Sequence, residues 1–235
     1  MRTGHKTGFR WLWRGTLLLC VGVLLYQVWI LAHIGYWIEH NPGSTAFMEL
    51  RAEKAGIQDD AASKARTWVP YARISPHLKR ALIVAEDARF LEHEGFDWDG
   101  IQTAYEKNLK KGRVVAGGST ISQQLAKNLF LSGERSLLRK MQEAVITLML
   151  EQMMSKRRIF EIYLNVIEWG NGVFGAEASA RHYYGTSASR LTAEQSAWLA
   201  AIVTRPRYYD THRAARGAQR KAGILLARMP MAQVP

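Results

Sequence analysis

Two carboxylates stand out by what surrounds them. Glu86 follows the apolar stretch Leu82 to Ala85 and opens the run Glu86-Asp87-Ala88-Arg89-Phe90-Leu91-Glu92-His93-Glu94-Gly95-Phe96-Asp97. On a helix it would lie four residues from Leu82 and from Phe90, and three from Ile83. A carboxyl among such side chains loses solvation, which favours the neutral acid and makes the ionised form a better base. An ordinary surface glutamate beside Arg89 would have the same spacing. His93 and the nearby acids give only a weak metal signal, because neither an HExxH nor an EF-hand spacing is present. The second carboxylate, Glu143, ends Arg139-Lys140-Met141-Gln142-Glu143, with Arg135 just upstream. Arg139 and Glu143 are four apart, so a surface ion pair contributing about 0–1 kcal/mol is the plain alternative.

Between them lies Gly117-Gly118-Ser119-Thr120-Ile121-Ser122-Gln123-Gln124-Leu125-Ala126-Lys127-Asn128. Two glycines before a capped helix leave backbone N–H groups at the positive end of its dipole, a place for an anion. Gln123, Gln124 and Lys127 can share one polar face, while Ile121, Leu125 and Leu129 share an apolar one. Hydroxyls, amides and a point cation suit phosphate oxygens. It is not a Walker loop, since Lys127 is eight residues past Ser119. A well-capped amphipathic helix accounts for the same pattern without any ligand.

Helices must position these groups. Ser75-Pro76 predicts an N-cap with proline at the first helical position, followed by Leu78, Leu82 and Ile83 at helical spacing. Thr120/Gln123 and Thr192/Gln195 stand in capping-box relation. Leu137 to Trp169 reads as one or two long helices jointed near Ser155, and Lys107 to Gly118 as a basic loop. Few runs alternate with period two, so the domain is expected to be mainly α.

The remaining constraints come from composition. The 235 residues carry a formal charge of +12, with 48% hydrophobic residues and one cysteine. A lone Cys20 excludes an internal disulfide, a CxxC pair and a cysteine zinc cage. Arg2, Lys6, Arg10 and Arg14 precede Gly15 to Ile38, in which only Gln27 and His33 are strongly polar. That run would form a helix of roughly 36 Å, enough for a hydrocarbon core of about 30 Å. It is too long for a signal-peptide core and no small-residue cleavage site follows. The expected order is a basic cytoplasmic N-terminus (1–14), a transmembrane helix (15–38), a connecting segment (39–68), a catalytic domain (69–209) and a basic tail (210–235). The cations before the helix put residues beyond it outside the cytoplasm. Residues 41–235 keep a charge of +9.

Taken together, in order and spacing, these blocks closely resemble the peptidoglycan glycosyltransferases, the family that includes the glycosyl-transfer domain of class A penicillin-binding proteins. The likeness spans about residues 69–209. It rests on E-D-x-x-F-x-x-H-x-G at Glu86 to Gly95, G-x-S-T-x-x-Q-Q-x-x-K-N at Gly117 to Asn128, R-K-x-x-E at Arg139 to Glu143 and E-x-Y-L-N at Glu161 to Asn165. The few residues after 209 leave no room for a penicillin-binding domain, which favours the monofunctional, membrane-anchored members.

The resemblance implies a lysozyme-like helical domain with a small membrane-proximal subdomain. It implies inverting polymerisation of lipid II into β-1,4-linked glycan, with release of undecaprenyl diphosphate, in cell-wall biogenesis at the bacterial inner membrane with the domain in the periplasm. Glu86 then matches the general base and Glu143 the second essential carboxylate. Lys127 and Arg135 match phosphate-holding residues, supported by Ser119, Thr120, Gln123 and Gln124. No cofactor or resident metal is expected, and stimulation by Mg or Mn is left open. Partners would be lipid II, the growing lipid-linked chain, the bilayer and other cell-wall synthesis proteins, with no nucleic acid. Trp98 to Gly118, with Tyr105, Leu109, Val114 and Val115, is the segment expected to touch lipid. Three competing readings are a lysozyme-like hydrolase, a membrane-tethered nucleic-acid binder suggested by the basic charge, and a silent cell-wall scaffold.

Overall fold

The computed structural model describes residues 4–56, 67–113, 117–131 and 136–235. It divides into two units, Met1–His40 and Asn41–Pro235. The first is a single helix, α1 (Gly4–Tyr36). Its stretch Arg10–Glu39 is long and apolar enough to cross a membrane. Trp11 and Trp13 are exposed near one end and Tyr36 near the other, where amphipathic rings favour a lipid–water boundary.

The second unit is almost wholly helical. Its elements are α2 (Ala46–Ala55), α3 (Pro76–Glu86), α4 (Trp98–Lys111), α5 (Ile121–Phe130), α6 (Leu137–Met153), α7 (Lys156–Val166), the short antiparallel pair β1 (Glu168–Gly170) and β2 (Val173–Phe174), α8 (Ala176–Tyr184), α9 (Ala193–Ile202), α10 (Pro206–Thr211) and α11 (Arg216–Arg228). Local chemistry starts and stops them. Ser75 accepts from the His77 N–H, with Pro76 at the first helical position. Thr120/Gln123 and Thr192/Gln195 both form complete capping boxes. Ser155 caps α7, so the stretch from Leu137 breaks where a serine offers its hydroxyl to the next helix.

Packing has two centres. In one, α9 lies between α3 and α11. In the other, α5 packs on α6, α7 and α2. Phe160 joins ring contacts with Phe90 at 5.8 Å and Tyr71 at 6.2 Å, and Trp169 is fully buried. The E-x-Y-L-N block is a bracket. Asn165 accepts from the Val69 N–H at 2.9 Å and donates to the Val69 carbonyl at 3.0 Å, while Glu161 accepts from the Tyr71 N–H. One helical turn thus ties down the extended chain that leads into α3.

Three expectations are corrected. Residues 39–68 contain α2, which joins the domain through packing on α5 and through Arg51, whose guanidinium lies 2.9 Å from the Glu168 carboxylate. Lys107, Lys110 and Lys111 are helical, and the loop begins only at Gly112, in left-handed conformation. Lysine and leucine are good helix formers, so the basic run extends α4 until glycine stops it. Residues 210–235 are not a separate tail. Asp210 accepts from the Tyr183 hydroxyl and the Asn171 N–H, and α11 packs on α9 and α3.

Candidate active site

Glu86 is the last residue of α3, so Phe90 does not sit a helical turn above it as expected. The helix ends there because the Asp87 N–H closes on Ile83 and Asp87 takes a non-helical conformation. The side chain is nine-tenths buried and nonetheless forms part of the wall of an open cleft of about 550 Å³. Lys107, Gly117, Gly118, Ser119 and Thr120 line the same cleft.

One Glu86 oxygen, Oε2, accepts from Gln124 Nε2 at 3.0 Å. Gln124 in turn accepts from the Tyr163 hydroxyl at 3.1 Å, which fixes its amide with Nε2 toward Glu86. The other oxygen, Oε1, has no hydrogen-bond partner among the described residues. The nearest cation to it is Lys221 Nζ of α11, at 3.9 Å. Burial raises the Glu86 pKa above the usual carboxylate value, and Gln124 and then Lys221 oppose that shift. Desolvation also raises Tyr163 well above its ordinary value, so the phenol stays a donor.

Glu143 differs from the surface partner allowed by its spacing. It is only 3% exposed. Its Oε2 accepts from Arg139 Nη1 at 2.7 Å and its Oε1 from Lys140 Nζ. Lys127, one element away on α5, feels this cluster: burial lowers its pKa, and the Glu143 carboxylate is the largest influence opposing that. Glu86 also acts on it. Lys127 therefore links the two carboxylates electrostatically.

The expected anion cradle at the start of α5 is already filled by the protein's own groups. The Ile121 N–H donates to Asp87 Oδ2 at 3.0 Å and the Gln123 N–H to Thr120 Oγ1. Thr120 also donates to the Gly95 carbonyl, and Gln123 accepts from the Thr120 N–H. Asp87, itself an anion, occupies the positive end of the dipole. Thr120 and Gln123 are thus buried structural caps, while Ser119 is exposed at the cleft.

Asp87 also explains His93. The Gly95 N–H donates to His93 Nδ1, so Nε2 carries the hydrogen and donates to Asp87 at 2.9 Å. The carboxylate therefore pins the 87–95 turn to α5. Gly95 is required there, because its φ is +92° and a Cβ would meet Thr147 Cγ2 at 2.8 Å. Among the described residues no three His, Cys, Asp or Glu side chains form a metal-binding group.

Arg135, Val114 and Val115 lie outside the described residues. Of the remaining site residues, Glu86, Ser119 and Thr120 line the cleft, Gln124 backs Glu86, Gln123 is a buried cap, and Lys127 and Glu143 belong to a charged cluster with Arg139 and Lys140. Sequence reasoning missed Lys221 and Tyr163. Tyr163 sits within the E-x-Y-L-N block and was open to notice. Lys221 carries no local signal.

Comparison with known proteins gives the family. A family model described as Transglycosylase matches residues 53–230. A protein of Methylobacillus flagellatus named biosynthetic peptidoglycan transglycosylase is 68% identical over 95% of this chain and 97% of its own length. Relatives with that name from Laribacter hongkongensis and Nitrosospira multiformis are 62% and 60% identical, each over 96% of this chain and 99% and 98% of their own lengths. The chain belongs to the transglycosylase family.

Proposed function

We propose that this transglycosylase-family enzyme is a peptidoglycan glycosyltransferase that polymerises lipid II. The observation that carries the reading is the pairing of a desolvated base with a cation cluster: Glu86 at the cleft wall, backed by Gln124, and Lys127 next to Arg139, Lys140 and Glu143.

In this reading the acceptor's 4-hydroxyl approaches the Glu86 carboxylate at the cleft wall. Glu86 takes its proton as the oxygen attacks C1 of the donor sugar. The C1–O bond to the diphosphate breaks on the opposite face, so the α-linked donor yields a β-1,4 bond. The leaving diphosphate keeps the bonding electron pair, and Lys127 and Arg135 receive its charge. Each well-placed donor to such a developing anion is worth about 3–4 kcal/mol, and a positioned general base about 10²–10⁴-fold. Glu143 acts through others, since Arg139 and Lys140 already occupy both its oxygens. It holds those two side chains at the cluster and offsets their mutual repulsion.

The anchor follows the same logic. A polyprenyl-linked substrate leaves lipid at a cost of about 0.8 kcal/mol per CH₂, so the enzyme resides at the membrane. In this proposal α1 spans the bacterial inner membrane with its basic N-terminus in the cytoplasm and the second unit in the periplasm. On α4, Trp98, Tyr105 and Leu109 are exposed on one face and are proposed to rest against lipid.

The test is incubation of purified full-length protein with lipid II in detergent, with and without Mg or Mn. Glycan polymer is the expected product. Absence of polymer, with release of fragments from intact sacculi instead, would establish a hydrolase and overturn the proposal.

A further inference from the structure

Helix α6 is amphipathic the wrong way round for a helix of a water-soluble domain. Its buried face carries Glu143, Ile146, Thr147 and Leu150. Its outward face carries Leu137 and Leu138, both 78% exposed, Met141 at 59%, Val145 at 40% and Leu148 at 49%. At 3.6 residues per turn these five fall within an arc of about 100°, in a stripe about 16 Å long. A contiguous exposed apolar stripe of this kind marks a binding surface.

The charge pattern says what kind. Arg139 and Lys140 lie at the N-terminal end of the stripe, beside Glu143 and near Lys127. From Met141 to Met153 there is no further Lys or Arg. The two acids in that span are engaged inward, Glu143 as described and Glu151 with Lys156 and Ser122. A helix lying flat in a bilayer surface carries cations along its polar flanks for lipid headgroups. Here the cations gather at one end, and the stripe beyond them is apolar as far as Leu148, before the exposed Gln152. That distribution complements one amphiphile with a compact anionic head and a long tail.

We infer that the outward face of α6 is the track for the polyprenyl chain of a lipid-linked diphosphate, with the head at Lys140 and the tail running along Leu137, Met141, Val145 and Leu148. The inference rests on the function proposed above and names the part of the substrate that this face takes.

The test measures binding without turnover. Undecaprenyl diphosphate and geranyl diphosphate share the head and differ in tail length. Their dissociation constants are compared in the same detergent micelles for the wild type, the double variant Met141→Gln/Val145→Gln, and Met231→Gln, an exposed apolar position outside the stripe. The wild type and Met231→Gln are expected to favour the long chain, and the double variant is expected to lose roughly tenfold of that preference. An unchanged preference in the double variant overturns the inference. So does an unchanged preference accompanied by weaker binding to phospholipid vesicles, which would make the stripe a bilayer contact. A polymerisation assay on the same preparations separates the two levels: wild type that makes no glycan while the chain-length effect holds refutes the proposed reaction and leaves the track standing.

Discussion

Glu86 and Glu143 are both buried acids of one small domain, and their surroundings make them opposites. Glu143 has both oxygens occupied by cations on its own helix. Glu86, in the wall of a cleft, has one oxygen on a neutral amide and one that is buried without a hydrogen bond, 3.9 Å from Lys221 Nζ. A buried carboxylate held between two cations serves as their counter-charge. A buried carboxylate with one oxygen left open is set up to take a proton. Burial alone does not distinguish the two acids, and the partners of their oxygens do.

The strongest way to break this contrast is to neutralise Glu86. Glu86→Gln is expected to reduce polymerisation by about 10²–10⁴-fold, read from glycan product on gels. The same variant tests the energetic side. Protonation of Glu86 contributes stability that is present below the ordinary carboxylate value and is lost as pH rises through its raised folded value. Glu86→Gln should therefore melt higher than wild type at neutral pH, measured by thermal unfolding. A lower melting temperature would contradict the picture of a strained, solvent-starved base.

Glu143→Gln should behave in the opposite sense. It leaves Arg139 and Lys140 without their counter-charge, and Arg139 is largely buried. A loss of about 1–3 kcal/mol is expected in denaturant unfolding, less than for a fully buried pair because Lys140 is half exposed. Activity should fall as well, with weaker diphosphate binding.

Lys221→Met sharpens the contrast on a finer scale. Lys221 helps keep Glu86 ionised, so its loss should move the acidic limb of the kcat–pH profile to higher pH, with Lys221→Arg restoring it. A limb that does not move would show that the α11 cation is irrelevant to the base. The smallest effect is expected for Tyr163→Phe, which removes the hydroxyl that orients Gln124. A cost of about 1 kcal/mol in stability and a modest rise in the limb should follow.

Sequence reading reached the parts of this molecule that are written locally. Ser75-Pro76, the two T-x-x-Q starts and the Ser155 joint were legible because a cap is built from residues within one turn of each other. Glu86 was legible as a candidate because its apolar neighbours adjoin it in the chain. Lys221 was not, because 135 positions separate it from Glu86 and only the packing of α11 on α3 brings them together. The burial of Glu143 was not legible for another reason. Periodicity shows that a helix has faces without saying which one points inward, and in α6 the more apolar face points out. What occupies the start of α5 was hidden in a different way. The free N–H groups were correctly placed, but Asp87 reaches them from another segment.

The position of α11 has a further consequence for how the enzyme comes into being. Residues 216–228 are synthesised long after Glu86, yet Lys221 stands next to that carboxylate. A nascent chain that has not yet reached residue 216 already contains the acid, the glutamines and the cap residues, but not the cationic helix that packs on α3. The cation beside Glu86 is therefore in place only once α11 has been made and packed on α3, so a chain cut short before residue 216 lacks it.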